Sequence, residues 1–263
     1  MKIAVIGAGA MGGASVEGLI KSGLCPADIS VYDPSPAVSS RFGNSGVQLA
    51  VDSRSAVRNA DIVMVFVKPW LVEQVLGEIK VVLDYHSQTL AVVAAGVSGH
   101  QLQAWLQRAD EGLPPLFLLI PNIAIAELSS MTFITPVHAN EEQTAALVDL
   151  FCRVGRTKVV EERLLAAGTT LASCGIAYAM RYVRAASEGG VEIGFRADDA
   201  KEIVLQTVKG AVELLQANGN HPEAEIDKVT TPGGVTIRGL NEMEHAGFTS
   251  AVIRGLKAGL SSK

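Results

Sequence analysis

Two glycine-bearing stretches hold residue types and spacings from which chemistry can be built. The first is IAVIGAGAMGG, residues 3 to 13, where Gly7, Gly9 and Gly12 keep a G-x-G-x-x-G spacing. The second is VTTPGGVTIRGL, residues 229 to 240. Glycine permits turns and close backbone approaches that a Cβ forbids, and Pro232 fixes its own φ. Both stretches run into helix-like patterns, so each ends at a helix N-terminus whose first N–H groups lack internal partners and attract an anion. For the second stretch the plain alternative is a capping loop, with Thr231 or Thr236 as the local cap.

Context gives the first stretch its chemistry. An apolar strand, Ile3 to Ile6, precedes the glycines and an amphipathic run, Met11 to Ser22, follows them, which is where the pyrophosphate of a dinucleotide meets free backbone N–H groups. Gly7, Ala8, Gly9, Ala10, Met11 and Gly12 would form that cradle. Asp33 closes ISVYDPSP, and 33 − 12 = 21 residues beyond Gly12 is near the position of a ribose-binding carboxylate. A carboxylate there favours NADH over NADPH. In the competing reading Asp33 only caps the turn before Pro34, while Ser35, Ser39 and Arg41 accommodate a 2′-phosphate. Two more strand ends, Val67-Lys68-Pro69 and Ala94-Ala95-Gly96, could line a nicotinamide pocket at the carboxyl ends of parallel strands. Their alternative is a solvated lysine and a packing step.

The elements that must position these groups follow a βαβ rhythm. Strands are expected at Ile3 to Ile6, Ile29 to Tyr32, Ile62 to Val67 and Leu90 to Val93, separated by helices such as Met11 to Ser22 and Leu71 to Ile79. Further strands are expected at Leu116 to Leu119, Met131 to Thr135 and Lys158 to Val160, with a helix across Glu141 to Val154. Beyond Glu161 only helical patterns remain, around Leu164 to Ile193, Asp198 to Ala217, Val235 to Glu244 and Thr249 to Leu260. The fold class is α/β: a Rossmann-type, mostly parallel sheet domain over 1–160, then an all-α domain over 161–263. The helical half has too little chain to enclose a core of its own around such long helices. A partner chain is expected to cover one of its faces.

Composition narrows the class. The chain has 263 residues, 48% of them hydrophobic, with mean hydropathy +0.29, which suits a well-buried globular core. No apolar run reaches the roughly 18 residues a bilayer span needs, and the N-terminal stretch reads as strand and glycine turn rather than signal peptide. The expected location is the cytoplasm, with no membrane partner. A formal net charge of −5, with no compensating basic cluster, argues against nucleic acid. Cys25, Cys152 and Cys174 are too few and too scattered for a zinc site or a disulfide scaffold, and the five histidines show no metal-ligand spacing, so no metal is expected.

Read in order, GAGAMG, VKP, AAG, PN (Pro121-Asn122) and TTPGGVT resemble the pyrroline-5-carboxylate reductases. The similarity spans nearly the whole chain, and its most specific part is DKVTTPGGVTIRGLNEMEHAGF, with SCGIAYAMRYVRAASEGGVEIGF similar to the family's first long C-terminal helix. The resemblance implies NAD(P)H-dependent reduction of a cyclic imino acid to L-proline. It implies substrate contacts from Thr231, Gly233, Gly234, Val235 and Thr236, with Thr236 at the ring nitrogen. It implies cofactor contacts that include Asn122 and Ser53, Ser53 standing where many members carry asparagine. It also implies a homodimer, or a larger homo-oligomer, built by the C-terminal helices. Two stretches depart from the family pattern: LLIPNIAI lacks the preceding arginine and the second proline, and SCGIAY replaces Gly-Ser-Gly-Pro-Ala-Tyr, its Cys174 reading as a packing residue rather than a nucleophile. Two alternatives remain: a related imine or β-hydroxy acid dehydrogenase, and a cofactor-binding protein without turnover. A hydroxy-acid enzyme would want a lysine general acid on the first long C-terminal helix, and Leu164 to Ile193 contains none.

Overall fold

Alternation within the strands dictates the layers. Successive side chains of a strand point to opposite faces, and here both sets are apolar: Ile3 and Val5 enter one core while Ala4 and Ile6 enter another. A strand buried on both faces needs helices above and below it. The computed structural model, in which residues 1–109 and 112–260 are described, has that arrangement.

The strands are β1 (Ile3–Ile6), β2 (Ile29–Tyr32), β3 (Gln48–Leu49), β4 (Ile62–Val65), β5 (Thr89–Val92), β6 (Leu116–Ile120), β7 (Ser130–His138) and β8 (Gly155–Val159). They form one sheet in the order β3-β2-β1-β4-β5-β6-β7-β8. All neighbours are parallel except β6 and β7. That pair is joined by a short 3₁₀ segment, Ile123–Glu127, too brief for the crossover a parallel pair requires. The sheet's direction of growth reverses between β1 and β4, the switch point at which doubly wound sheets open a crevice.

Helices α1 (Ala10–Lys21), α2 (Pro36–Phe42), α3 (Ser53–Val57), α4 (Val72–Lys80), α5 (Gly99–Leu106) and α6 (Glu141–Cys152) cover the sheet. Val16 and Leu19 of α1 share a core with Phe151 of α6, and Leu76 of α4 shares the other with Leu102 of α5. Sequence periodicity does not anticipate α2, α3 and α5, because each is too short to repeat an apolar stripe. Local caps announce two of them: Ser98 accepts from the Gln101 N–H at 3.2 Å, and Asp52 accepts from the Ser55 N–H at 2.6 Å.

The Asp52 cap carries a pH dependence. The Ser55 backbone N–H, then the Ser55 hydroxyl, hold its carboxyl below the ordinary aspartate value. A group depressed in the folded state adds stability above its unfolded pKa and loses it as pH falls through the folded value. Chemical denaturation between pH 6 and pH 3 should therefore show Asp52→Asn losing less stability than the parent, with the difference developing below about pH 3.9.

The chain folds as two compact units, Met1–Ser173 and Cys174–Lys263. The strand-free texture begins earlier, at 161, but the intervening residues are tied to the first unit. The Gly99 N–H donates to Glu162 at 2.9 Å, and the Ser173 hydroxyl donates to the Pro121 carbonyl at 2.8 Å. The expected single helix across Leu164 to Ile193 is interrupted: α7 (Leu165–Gly168) gives way to a π-helical turn, Thr169–Cys174, before α8 (Gly175–Glu192). Thr169 donates its hydroxyl back to the Leu165 carbonyl at 2.8 Å, a contact that distorts helices.

The second unit comprises α8, α9 (Ala197–Asn218), α10 (Pro222–Lys228), α11 (Val235–His245) and α12 (Phe248–Leu260). Helices α8 and α9 pack closely, with Ala200 beneath Gly190, and Tyr182 meets Phe248 edge-on at 6.5 Å. Yet Ala200 alone is buried among the described residues from 174 onward, while Met180, Leu205, Leu214 and Ile253 are at least half exposed. By itself this unit has no interior. Among the described residues no helix is long and apolar enough to cross a membrane.

Candidate active site: a dinucleotide cleft and a glycine turn

The register of the sheet assembles the cleft of the first unit. Ile6 pairs with Val65, and Val65 with Val92, so the segments after β1, β4 and β5 leave the same edge side by side. Val92 also pairs with Leu118, which brings Pro121-Asn122 after β6 to that edge. At this edge the segments after β1, β2, β4 and β5 line a cleft of about 630 Å³, within the size range of small-molecule sites, and Pro121-Asn122 stands outside its lining.

Its floor is the glycine loop. Gly7 has φ +85°, and an added Cβ would lie 2.4 Å from the Phe66 carbonyl oxygen. At Gly12 a Cβ would come within 1.9 Å of the Gly7 carbonyl oxygen, so α1 can start this close to β1 only without a side chain there. At Gly9 a Cβ would meet no atom within 4 Å, leaving the backbone open to a ligand. The N-terminus of α1 has no side-chain cap and no acidic residue in its first turn. An uncapped N-terminus facing open space fits a pyrophosphate.

Gly7, Gly9, Ala10, Met11 and Gly12 line the cleft, as do Asp33, Val67 and Lys68. Ala8 is buried behind them; its N–H donates to Asp33 Oδ2 at 2.8 Å, while the Ser35 N–H donates to Oδ1 at 2.9 Å. Asp33 therefore caps the turn and also lines the cleft. Pro69, Ala95 and Gly96 sit on the same edge outside the lining residues, Gly96 in a turn with φ +83°. Asn122 is buried: its side chain accepts from the Ala124 N–H at 3.0 Å and donates to the Ala172 carbonyl at 3.4 Å. Ser53 is also buried, and its hydroxyl donates to Glu78 at 3.1 Å. Arg41 turns away to Glu17, with Nη2 2.8 Å from Oε1, and the Ser39 side chain lies outside the described residues.

Sequence patterns miss the opposite wall. Leu71, Gln74, Val75 and Glu78 line the cleft at helical spacing along α4 and its lead-in turn. That spacing is visible in the sequence, but which helix face fronts the crevice is set by packing. Among the described residues no three His, Cys, Asp or Glu side chains are grouped to hold a metal.

The second stretch folds as the turn its residues imply. The Gly234 N–H donates to the Thr231 carbonyl at 2.9 Å, and Gly233 takes φ +71°, a conformation glycine adopts without strain. A Cβ on Gly234 would lie 2.5 Å from Thr231 Oγ1, so the turn also needs glycine there. Gly234 is the N-cap of α11 and supplies no side-chain cap, which puts Val235 and Thr236 in its first turn. Thr236 is not the local cap. The Gly234 amide closes the turn, and the first turn of α11 that follows it has no side-chain cap.

A glycine cradle at the switch point of a doubly wound sheet, followed by a helical unit without its own interior, defines a two-part NAD(P)-dependent oxidoreductase. By sequence, the chain belongs to the pyrroline-5-carboxylate reductase family. Residues 162–262 match the family model for pyrroline-5-carboxylate reductase dimerisation, and residues 2–96 match one described as NADP oxidoreductase, coenzyme F420-dependent. Pyrroline-5-carboxylate reductase 2 of Dictyostelium discoideum is 34% identical, over 97% of this chain and 89% of its own length. Pyrroline-5-carboxylate reductase 1 of the same organism is 35% identical over 97% of this chain, which spans 48% of that longer protein. The fold matches the crystal structure of Plasmodium falciparum pyrroline carboxylate reductase with NADP bound, at TM-score 0.87 and 23% identity over 99% of this chain and 95% of that one.

Proposed function

We infer that this protein reduces the C=N bond of 1-pyrroline-5-carboxylate with NAD(P)H and releases L-proline. The observation that carries this is its 34% identity to a pyrroline-5-carboxylate reductase along nearly the whole chain, with the Pro-Gly-Gly turn formed at a bare helix N-terminus. When bound, the reduced nicotinamide supplies a hydride to the imine carbon, and the ring nitrogen ends as an amine after proton uptake from water.

The residues of the chain align the reactants. The glycine loop, residues 7 to 12, holds the pyrophosphate, and Asp33 faces the adenosine ribose, with Ser53 on the same ribose side. Val67, Lys68, Pro69, Ala95, Gly96 and Asn122 shape the nicotinamide end. Thr231 and the turn from Gly233, chiefly the amides of Val235 and Thr236, receive the substrate carboxylate, and the Thr236 hydroxyl hydrogen-bonds the ring nitrogen. A cyclic imine is readily protonated by water, so alignment and one polar contact at nitrogen meet the main chemical demand. Asp33 favours NADH.

The exposed apolar faces of α8 to α12 support a homodimer, with a second copy covering them. A small imino acid is the partner in the reaction; nucleic acid and membrane are not partners, and the cytoplasm is the working compartment. Following NADH and NADPH oxidation with pyrroline-5-carboxylate tests the activity directly. Proline formation supports it. Absence of oxidation with either cofactor, in protein that still binds nucleotide, overturns it in favour of a binding protein without turnover.

A further inference from the structure

Charge is unevenly distributed around the cleft. Its lining includes two carboxylates, Asp33 after β2 and Glu78 on α4, and one cation, Lys68. Glu78 is held in place rather than waving in solvent. Its Oε2 accepts from the hydroxyl of Ser53, itself only 4% exposed, and its Oε1 accepts from the Gln74 amide at 3.0 Å. Neither donor neutralises it, and its carboxylate forms no ion pair among the described residues.

The neighbouring guanidinium groups stand outside the lining of the cleft. Arg41 pairs with Glu17 through Nε at 3.1 Å and Nη2 at 2.8 Å and lies over the Phe42 ring. Arg54 donates Nε to the Glu78 backbone carbonyl at 3.0 Å and does not line the cleft. A 2′-phosphate adds close to two negative charges and requires cations to accept them.

We propose that Glu78, anchored by Ser53 and Gln74, acts with Asp33 as a two-carboxylate filter that rejects a ribose 2′-phosphate, making Glu78 a second determinant of NADH selection. The proposal rests on the cleft being the dinucleotide site. It differs from the usual single carboxylate at the end of the second strand in drawing on the opposite wall, from α4. The Ser53 hydroxyl fixes the charge, and Arg41 is paired with Glu17.

Calorimetric titration of the full chain with AMP and with 2′,5′-ADP tests the filter without turnover, since the two probes differ only in the 2′-phosphate. AMP should bind at least about tenfold more tightly. In Glu78→Gln, which keeps an acceptor for Ser53 and removes the charge, the gap between the two probes should narrow about threefold or more. A thermal melt of the variant checks that it remains folded. Equal or tighter binding of 2′,5′-ADP overturns the filter. A gap unchanged in Glu78→Gln overturns the role of Glu78 and leaves Asp33 alone. Binding of neither probe overturns the dinucleotide reading of the cleft, and the filter with it.

Discussion

Gly12→Ala is expected to weaken NADH binding at least about 100-fold, or roughly 2.7 kcal/mol, and to lower the melting temperature as well. The cause is a steric conflict within the backbone. A Cβ at Gly12 would lie 1.9 Å from the Gly7 carbonyl oxygen and 3.1 Å from Phe66 Cβ, so α1 must move off the end of β1. Moving α1 displaces the very N–H groups that face the pyrophosphate. Gly9→Ala separates the two consequences, because its Cβ would meet no protein atom within 4 Å. That variant should melt like the parent yet bind NADH poorly, its methyl group standing where the phosphate must approach. Fluorescence titration and thermal melts of both variants decide the matter. NADH binding retained in Gly12→Ala would mean that the dinucleotide lies elsewhere.

Thr236→Ala should lower kcat/KM for pyrroline-5-carboxylate at least about tenfold, about 1.4 kcal/mol of transition-state stabilisation, with NADH affinity unchanged. The side chain lies in the first turn of α11, one residue beyond the exposed Val235, after a cap that makes no side-chain hydrogen bond. Its loss therefore removes no helix cap and leaves the turn intact. Thr236→Ser should recover most of the activity, since the proposed contact with the ring nitrogen uses the hydroxyl rather than the methyl group. Steady-state kinetics with both variants, alongside NADH titration, distinguish a substrate contact from a structural role. Unchanged kcat/KM in Thr236→Ala would remove this residue from the reaction.

The two chemical stretches and the change of texture near Glu161 are legible in the sequence because each rests on local chemistry. Glycines at fixed spacing, a proline before a turn and alternating apolar runs express their conformational demands within a few residues. The order of family motifs adds the reaction, which no local physical rule supplies. Short elements are harder to see: α2, α3 and α5 offer a single apolar turn each, and β3 spans only Gln48–Leu49. The antiparallel placement of β7 also escapes strand propensity. It follows from connection length and from which sheet edge is available.

The sequence by itself therefore determined a glycine loop between the first strand and the first helix, a turn at Pro232 leading into a helix, and a C-terminal part made of helices. The tertiary structure decided which side chains share the cleft. It brought Glu78 on α4 into the same lining as Asp33, buried Ser53 behind Glu78, and tied Arg41 to Glu17. The physical reason is the range of the interactions. Turn geometry and capping act over three or four residues, and a sequence displays them directly, whereas Ser53 and Glu78 are 25 residues apart and meet only because α3 and α4 pack on the same face of the sheet.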